Sequence, residues 1–82
     1  MTYTKETKQM ETMKMHTLED IHRMDEYEFE NILVRTVESN ARHDYYLDEI
    51  DTGQFVISYG EMPQMVFDSL DDAMEYYSRM IS

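Results

Sequence analysis

No cysteine occurs in the 82 residues, there is one proline and two glycines, and after residue 15 the only basic side chains besides histidine are four arginines. The lack of cysteine excludes disulfides, thiolate metal sites and thiol redox chemistry. A small secreted domain usually relies on disulfides, so the expectation is a cytoplasmic protein (the host cytoplasm if the chain is viral). No apolar run approaches the roughly 20 residues that span a bilayer. The start, MTYTKETKQMETMKM, also lacks the apolar core of a signal peptide. The shortage of basic residues argues against direct nucleic-acid binding, which needs a basic patch.

What is present is acid, methionine and tyrosine. Eighteen Asp and Glu face seven Lys and Arg, a net charge of −11, with nine Met and seven Tyr. The charge is uneven. Residues 1–15 hold Lys5, Lys8 and Lys14 against Glu6 and Glu11, a net of +1. Residues 16–82 hold sixteen acids against Arg23, Arg35, Arg42 and Arg79, a net of −12. So acidic a body repels itself, stays soluble, associates quickly with basic partners and is repelled by nucleic acid and anionic membranes. A chain of this length buries only about 60% of its unfolded surface. That allows one small domain, residues 16–82, behind a flexible N-terminal arm, residues 1–15, with a helical extension of the next segment as the alternative.

Read in order, Thr17-Leu18-Glu19-Asp20 opens a short helix that ends near Asp25, with Leu18, Ile21 and Met24 as its apolar stripe. Glu26–Glu38 is rich in Tyr27, Phe29, Ile32, Leu33, Val34, Thr36 and Val37, which favours a strand. Phe29, Leu33 and Val37 fit a helix as well, at i, i+4 and i+8. Ser39–His43 is a loop.

The organising element is the hairpin Tyr45–Tyr59, turning at Asp51-Thr52-Gly53-Gln54. A two-residue turn sets Ile50 opposite Phe55 and Asp48 opposite Ile57. The apolar face is then Tyr46, Ile50, Phe55, Ile57 and Tyr59, with Asp48 intruding. A three-residue turn makes that face Tyr45, Leu47, Phe55, Ile57 and Tyr59, with Glu49 intruding. The slip exchanges the whole first arm between core and solvent, and both registers stay open.

Gly60–Gln64 is a turn and Met65–Phe67 a further short strand. Ser69 then caps a C-terminal helix in which Leu70, Ala73, Met74, Tyr77, Met80 and Ile81 form the buried stripe. Asp71, Asp72, Glu75, Tyr76 and Arg79 form its outer face. The fold class is α+β: a three- to four-stranded antiparallel meander, one face packed by the C-terminal helix, plus a short N-terminal helix.

Nothing in the pattern points to catalysis. The serines lie in no nucleophile elbow, and His16, His22 and His43 stand beside no nucleophile in a recognisable order. The acids Asp44, Asp48, Glu49 and Asp51 lack the spacing of a calcium loop with its central Gly and terminal Glu. The expectation is therefore no enzyme, no metal and no cofactor. Duplex DNA presents about one charge per 1.7 Å of axis, and a rigid acidic protein can occupy the same basic site. The candidate partner-binding residues are Glu19, Asp20, Asp25, Glu26, Glu28 and Glu30 in one run, and Asp44, Asp48, Glu49 and Asp51 in the hairpin. Asp71, Asp72 and Glu75 form a third cluster.

In its size, its lack of cysteine, its acidity and its Met and Tyr content over residues 16–82, the chain resembles the small proteins with which phages take over a host. Many of those are DNA mimics that block histone-like proteins, RNA polymerase, restriction enzymes or CRISPR effectors. The resemblance rests on composition and implies no site residues. It implies a monomer or small homo-oligomer that binds a basic DNA-binding protein of the host. The rival expectation is an adaptor that binds through an apolar patch or a sheet edge, with acidity serving solubility.

Overall fold

The computed structural model describes residues 15–82. The expected arm, residues 1–15, lies outside the described residues apart from Met15. Helix α1 (Leu18–Arg23) starts where Thr17 and Asp20 exchange bonds. The Thr17 hydroxyl accepts from the Asp20 N–H at 3.1 Å, and the Asp20 carboxylate accepts from the Thr17 N–H at 2.9 Å. This reciprocal cap satisfies two helix-end donors at once. The helix stops two residues short of the expected Asp25, because Met24 turns extended and Asp25 caps a second helix.

That second helix, α2 (Glu26–Ile32), corrects the expected strand over Glu26–Glu38. Asp25 accepts from the Glu28 N–H at 2.8 Å, and Glu28 Oε1 accepts from the Asp25 N–H at 3.1 Å. The helix turns Phe29 and Ile32 onto the apolar cluster around Ile50 and Val56, and leaves Tyr27 73% exposed. A capping box and burial of one face thus outweigh the strand preference of Tyr27, Phe29 and Ile32. Strand β1 begins only at Leu33 and runs to Asn40.

Strands β2 (Tyr45–Ile50), β3 (Phe55–Tyr59) and β4 (Met62–Phe67) complete an antiparallel sheet in the order β1-β2-β3-β4. At the β2–β3 tip the Ile50 N–H donates to the Gln54 carbonyl at 3.0 Å, enclosing three residues. Gly53, with φ 87°, supplies the left-handed position that such a turn uses. The register is therefore the shifted one: Tyr45 faces Tyr59, Leu47 faces Ile57 and Glu49 faces Phe55. The turn after β3 is tighter than expected, only Gly60 and Glu61, so β4 takes in Met62, Pro63 and Gln64. Pro63 is tolerated there because β4 is an edge strand. At Gly60, φ 63°, an added Cβ would stand 3.0 Å from the Asp44 carboxylate.

Both faces of the sheet are core, where one had been expected. Helix α3 (Leu70–Ile81), capped by Ser69, lays Ala73 and Tyr77 on Leu47, Phe55 and Ile57. Tyr76, assigned from sequence to the outer face, packs instead on Phe67 with ring centroids 5.4 Å apart. On the opposite face, Ile21 of α1 closes over Ile50 and Val56. The incoming chain is held by the buried Gln54 side chain, which accepts from the His16 N–H and donates to the His16 carbonyl, each at 2.8 Å.

Candidate functional site

The two short helices do not cover their face completely. Between α2 and the β3–β4 turn lies a cleft of about 490 Å³, within the ~300–1,000 Å³ usual for ligand sites. Ile21, Met24, Phe29 and Leu33 supply its apolar floor, and Met62 and Pro63 its outer wall. Ser58 reaches the floor from β3 and is 8% exposed. His22 closes one end: its Nε2 lies 2.7 Å from the Pro63 carbonyl. A carbonyl can only accept, so this ring nitrogen carries the proton and ties α1 to the edge strand. Asp25, Glu26, Glu30 and Glu61 rim the cleft, and among the described residues no Lys or Arg lines it.

Of the ten candidate residues, the fold gathers Asp25, Glu26 and Glu30 around this cleft and disperses the rest. Asp20, Asp25 and Glu28 are committed to helix caps. The bond from the Thr17 N–H holds the Asp20 carboxyl below its ordinary range. Glu19 pairs with Arg23 at 3.0 Å, and Glu49 with Arg35 at 2.8 Å. Asp44 accepts a bond from the Tyr46 hydroxyl at 2.9 Å, which pushes the Tyr46 pKa up. Asp51 stands exposed at the hairpin tip.

Asp48 differs from all of these. It points into the face covered by α1 and α2, is 9% exposed and accepts from the Thr36 hydroxyl at 2.8 Å. Burial raises its pKa, and the Thr36 bond only partly opposes that. Glu61, which completes the rim, was missed in the sequence because it reads there as one polar residue in a turn. The floor was missed too, although Phe29 and Leu33 at helical spacing were a usable signal.

A third pair, Arg79–Glu75 at 2.9 Å, takes up a third arginine. Three of the four arginines in the body are thus occupied by the chain's own acids, and Arg42 makes no ion pair among the described residues. Among the described residues, the remaining exposed carboxylates on α2, the hairpin ends and α3 form no ion pair. Among the described residues no three His, Asp or Glu side chains gather as a cation would require, and no helix is long and apolar enough to cross a membrane. Neither the protein-family models, nor the curated proteins, nor the solved structures contain a match to this chain.

Proposed function

We propose that this protein is a non-enzymatic inhibitor that binds a basic, nucleic-acid-binding host protein at its DNA site, in the manner of a phage DNA mimic. Candidate targets are a histone-like nucleoid protein, RNA polymerase or a defence nuclease. The observation that carries the reading is the charge left over after folding. The body holds sixteen acids against four arginines, and three of those arginines are already paired within the chain. The surplus carboxylates steer a basic partner in and repel nucleic acid itself. Asp48 is excluded from this surface by its burial, which leaves Glu26, Glu30, Asp51, Asp71 and Asp72 among its exposed contributors.

The rival mode, addition of a partner strand at a sheet edge, is opposed by how both edges are built. Strand β1 carries two irregularities in its register, and β4 carries Pro63 and one of its own. Bulges and proline are the usual means by which edges resist pairing.

The test is a pull-down from bacterial lysate, followed by affinity measurement for the captured protein across salt concentrations and with competing duplex DNA. A DNA-site inhibitor loses affinity steeply with salt and is displaced by DNA. Binding that is indifferent to both overturns the reading.

A further inference from the structure

The cleft between α2 and the β3–β4 turn has a chemistry that general acidity does not require. Among the described residues its rim is four carboxylates with no Lys or Arg, and its floor is Ile21, Met24, Phe29 and Leu33. A solvated acidic surface has no need of an apolar concavity beneath it. Met62, on the outer wall, is 59% exposed and apolar. Ser58 is 8% exposed and lines the cleft from β3. The site thus offers three things to one ligand: apolar contact below, a hydroxyl at the base, and negative charge around the mouth.

We propose that this cleft seats a single large apolar side chain of the partner, presented on a segment with Lys or Arg on both sides. The proposal rests on the reading of the protein as a binder of basic proteins and names the anchor of that contact. Charge complementarity selects the occupant. The body of a second copy, residues 16–82 with a net charge of −12, would bring another strongly acidic surface against four carboxylates, and nucleic acid would do the same. A basic peptide neutralises the rim while its apolar residue leaves water for the floor. The arrangement separates two tasks: the outer acids speed the encounter, and the cleft slows dissociation.

The probe is a synthetic peptide with a central Phe between two lysines on each side, compared with the same peptide carrying Ala in place of Phe. Titration into ¹⁵N-labelled full-length protein is followed by amide shifts. The Phe peptide should bind roughly tenfold or more tighter than the Ala peptide, with shifts concentrated at Met24–Leu33, Ser58 and Glu61–Met62. Met62→Ser, a change at an exposed position, should weaken the Phe peptide and leave the Ala peptide unchanged. Glu30→Lys should weaken both.

Equal affinity for the two peptides, or shifts spread as strongly over Asp71, Asp72 and Glu75, overturns the cleft as an anchor. That outcome leaves the DNA-site reading standing. Conversely, selective Phe binding alongside a captured partner that DNA cannot displace removes the DNA-site reading and keeps the cleft. A concentration-dependent dimer that blocks the peptide would identify a second copy as the occupant and overturn the proposal.

Discussion

The two faces of the sheet meet the same requirement by different means. On one face a single helix of 12 residues, α3, presents a continuous stripe, and Ala73 and Tyr77 lie buried on Leu47, Phe55 and Ile57. On the other, helices of 6 and 7 residues meet at Met24–Asp25, and only Ile21 is fully buried between them. A stripe broken between two short helices leaves a gap in the cover, and that gap is the cleft. Helices this short are not stable alone in water, so α1 and α2 depend on their caps and on Ile50 and Val56 beneath them. The closed face supplies stability, and the interrupted face leaves a concavity that a ligand can enter.

The largest test of this contrast is truncation on each face. Ile57→Ala, under α3, should cost about 2–5 kcal/mol, a large share of the roughly 5–15 kcal/mol that holds a typical domain. Phe29→Ala, half-buried at the cleft, should cost less, about 1–2 kcal/mol. Urea denaturation midpoints measure both. Equal losses would show that the α2 face is as much a structural core as the α3 face.

The pH dependence separates two carboxylates of the interrupted face, one buried under the helices and one capping α1. Burial raises the Asp48 pKa, so the native state holds this proton to higher pH than the unfolded chain does. Its contribution is fully present below the unfolded value of 3.8 and is lost as pH rises through the folded value. Asp48→Asn keeps an acceptor for Thr36 and should stabilise the protein near pH 7 by on the order of 1 kcal/mol. The gain should vanish in acid. Asp20 has the opposite sign: its depressed pKa contributes above 3.8 and is lost as pH falls through the folded value. Thermal melts of Asp48→Asn and Asp20→Asn across that range should therefore diverge in opposite directions.

The closed face was the more legible of the two in the sequence. Ser69, the acids after it and the stripe Leu70, Ala73, Met74, Tyr77 repeat one period without interruption, and the helix forms where that pattern lies. The interrupted face was legible only in its first half: the Thr17 cap and the stripe Leu18, Ile21 and Met24 mark α1, whereas α2 is shorter than the pattern needs. Tyr27, Phe29 and Ile32 favour strands, and the cap that overrides them is only the pair Asp25 and Glu28. The hairpin register was open because alternation fits both choices. It is decided by the backbone of three tip residues, with Gly53 in the left-handed region. The fold places Asp48 inside because the second face is also covered, and that depends on helices far from it in sequence.

A cap test falls next in size. Asp25→Ala removes the acceptor for the Glu28 N–H and should cost about 1 kcal/mol. Ser69→Ala should cost a similar amount on α3. Only the first should also weaken the Phe peptide, since Asp25 starts the helix that carries Phe29. If both variants change peptide affinity alike, the two faces are coupled and the contrast between them is lost.

The smallest effect is expected at the surface ion pairs. Arg23–Glu19 on α1 and Arg79–Glu75 on α3 share the i, i+4 geometry with the acid on the N-terminal side, and all four side chains are exposed. Such pairs contribute about 0.3–0.5 kcal/mol and are screened by salt. Arg23→Gln should therefore lower stability slightly at low ionic strength and not at all at high. The same change takes one positive charge from an already acidic body, beside the face that carries the cleft. Its association rate with a basic partner should rise as its stability falls, whereas Arg79→Gln should lose the same stability with a smaller change in rate. Stopped-flow association at low salt resolves the difference, and equal rates for the two variants would place the encounter surface on both faces and not beside the cleft.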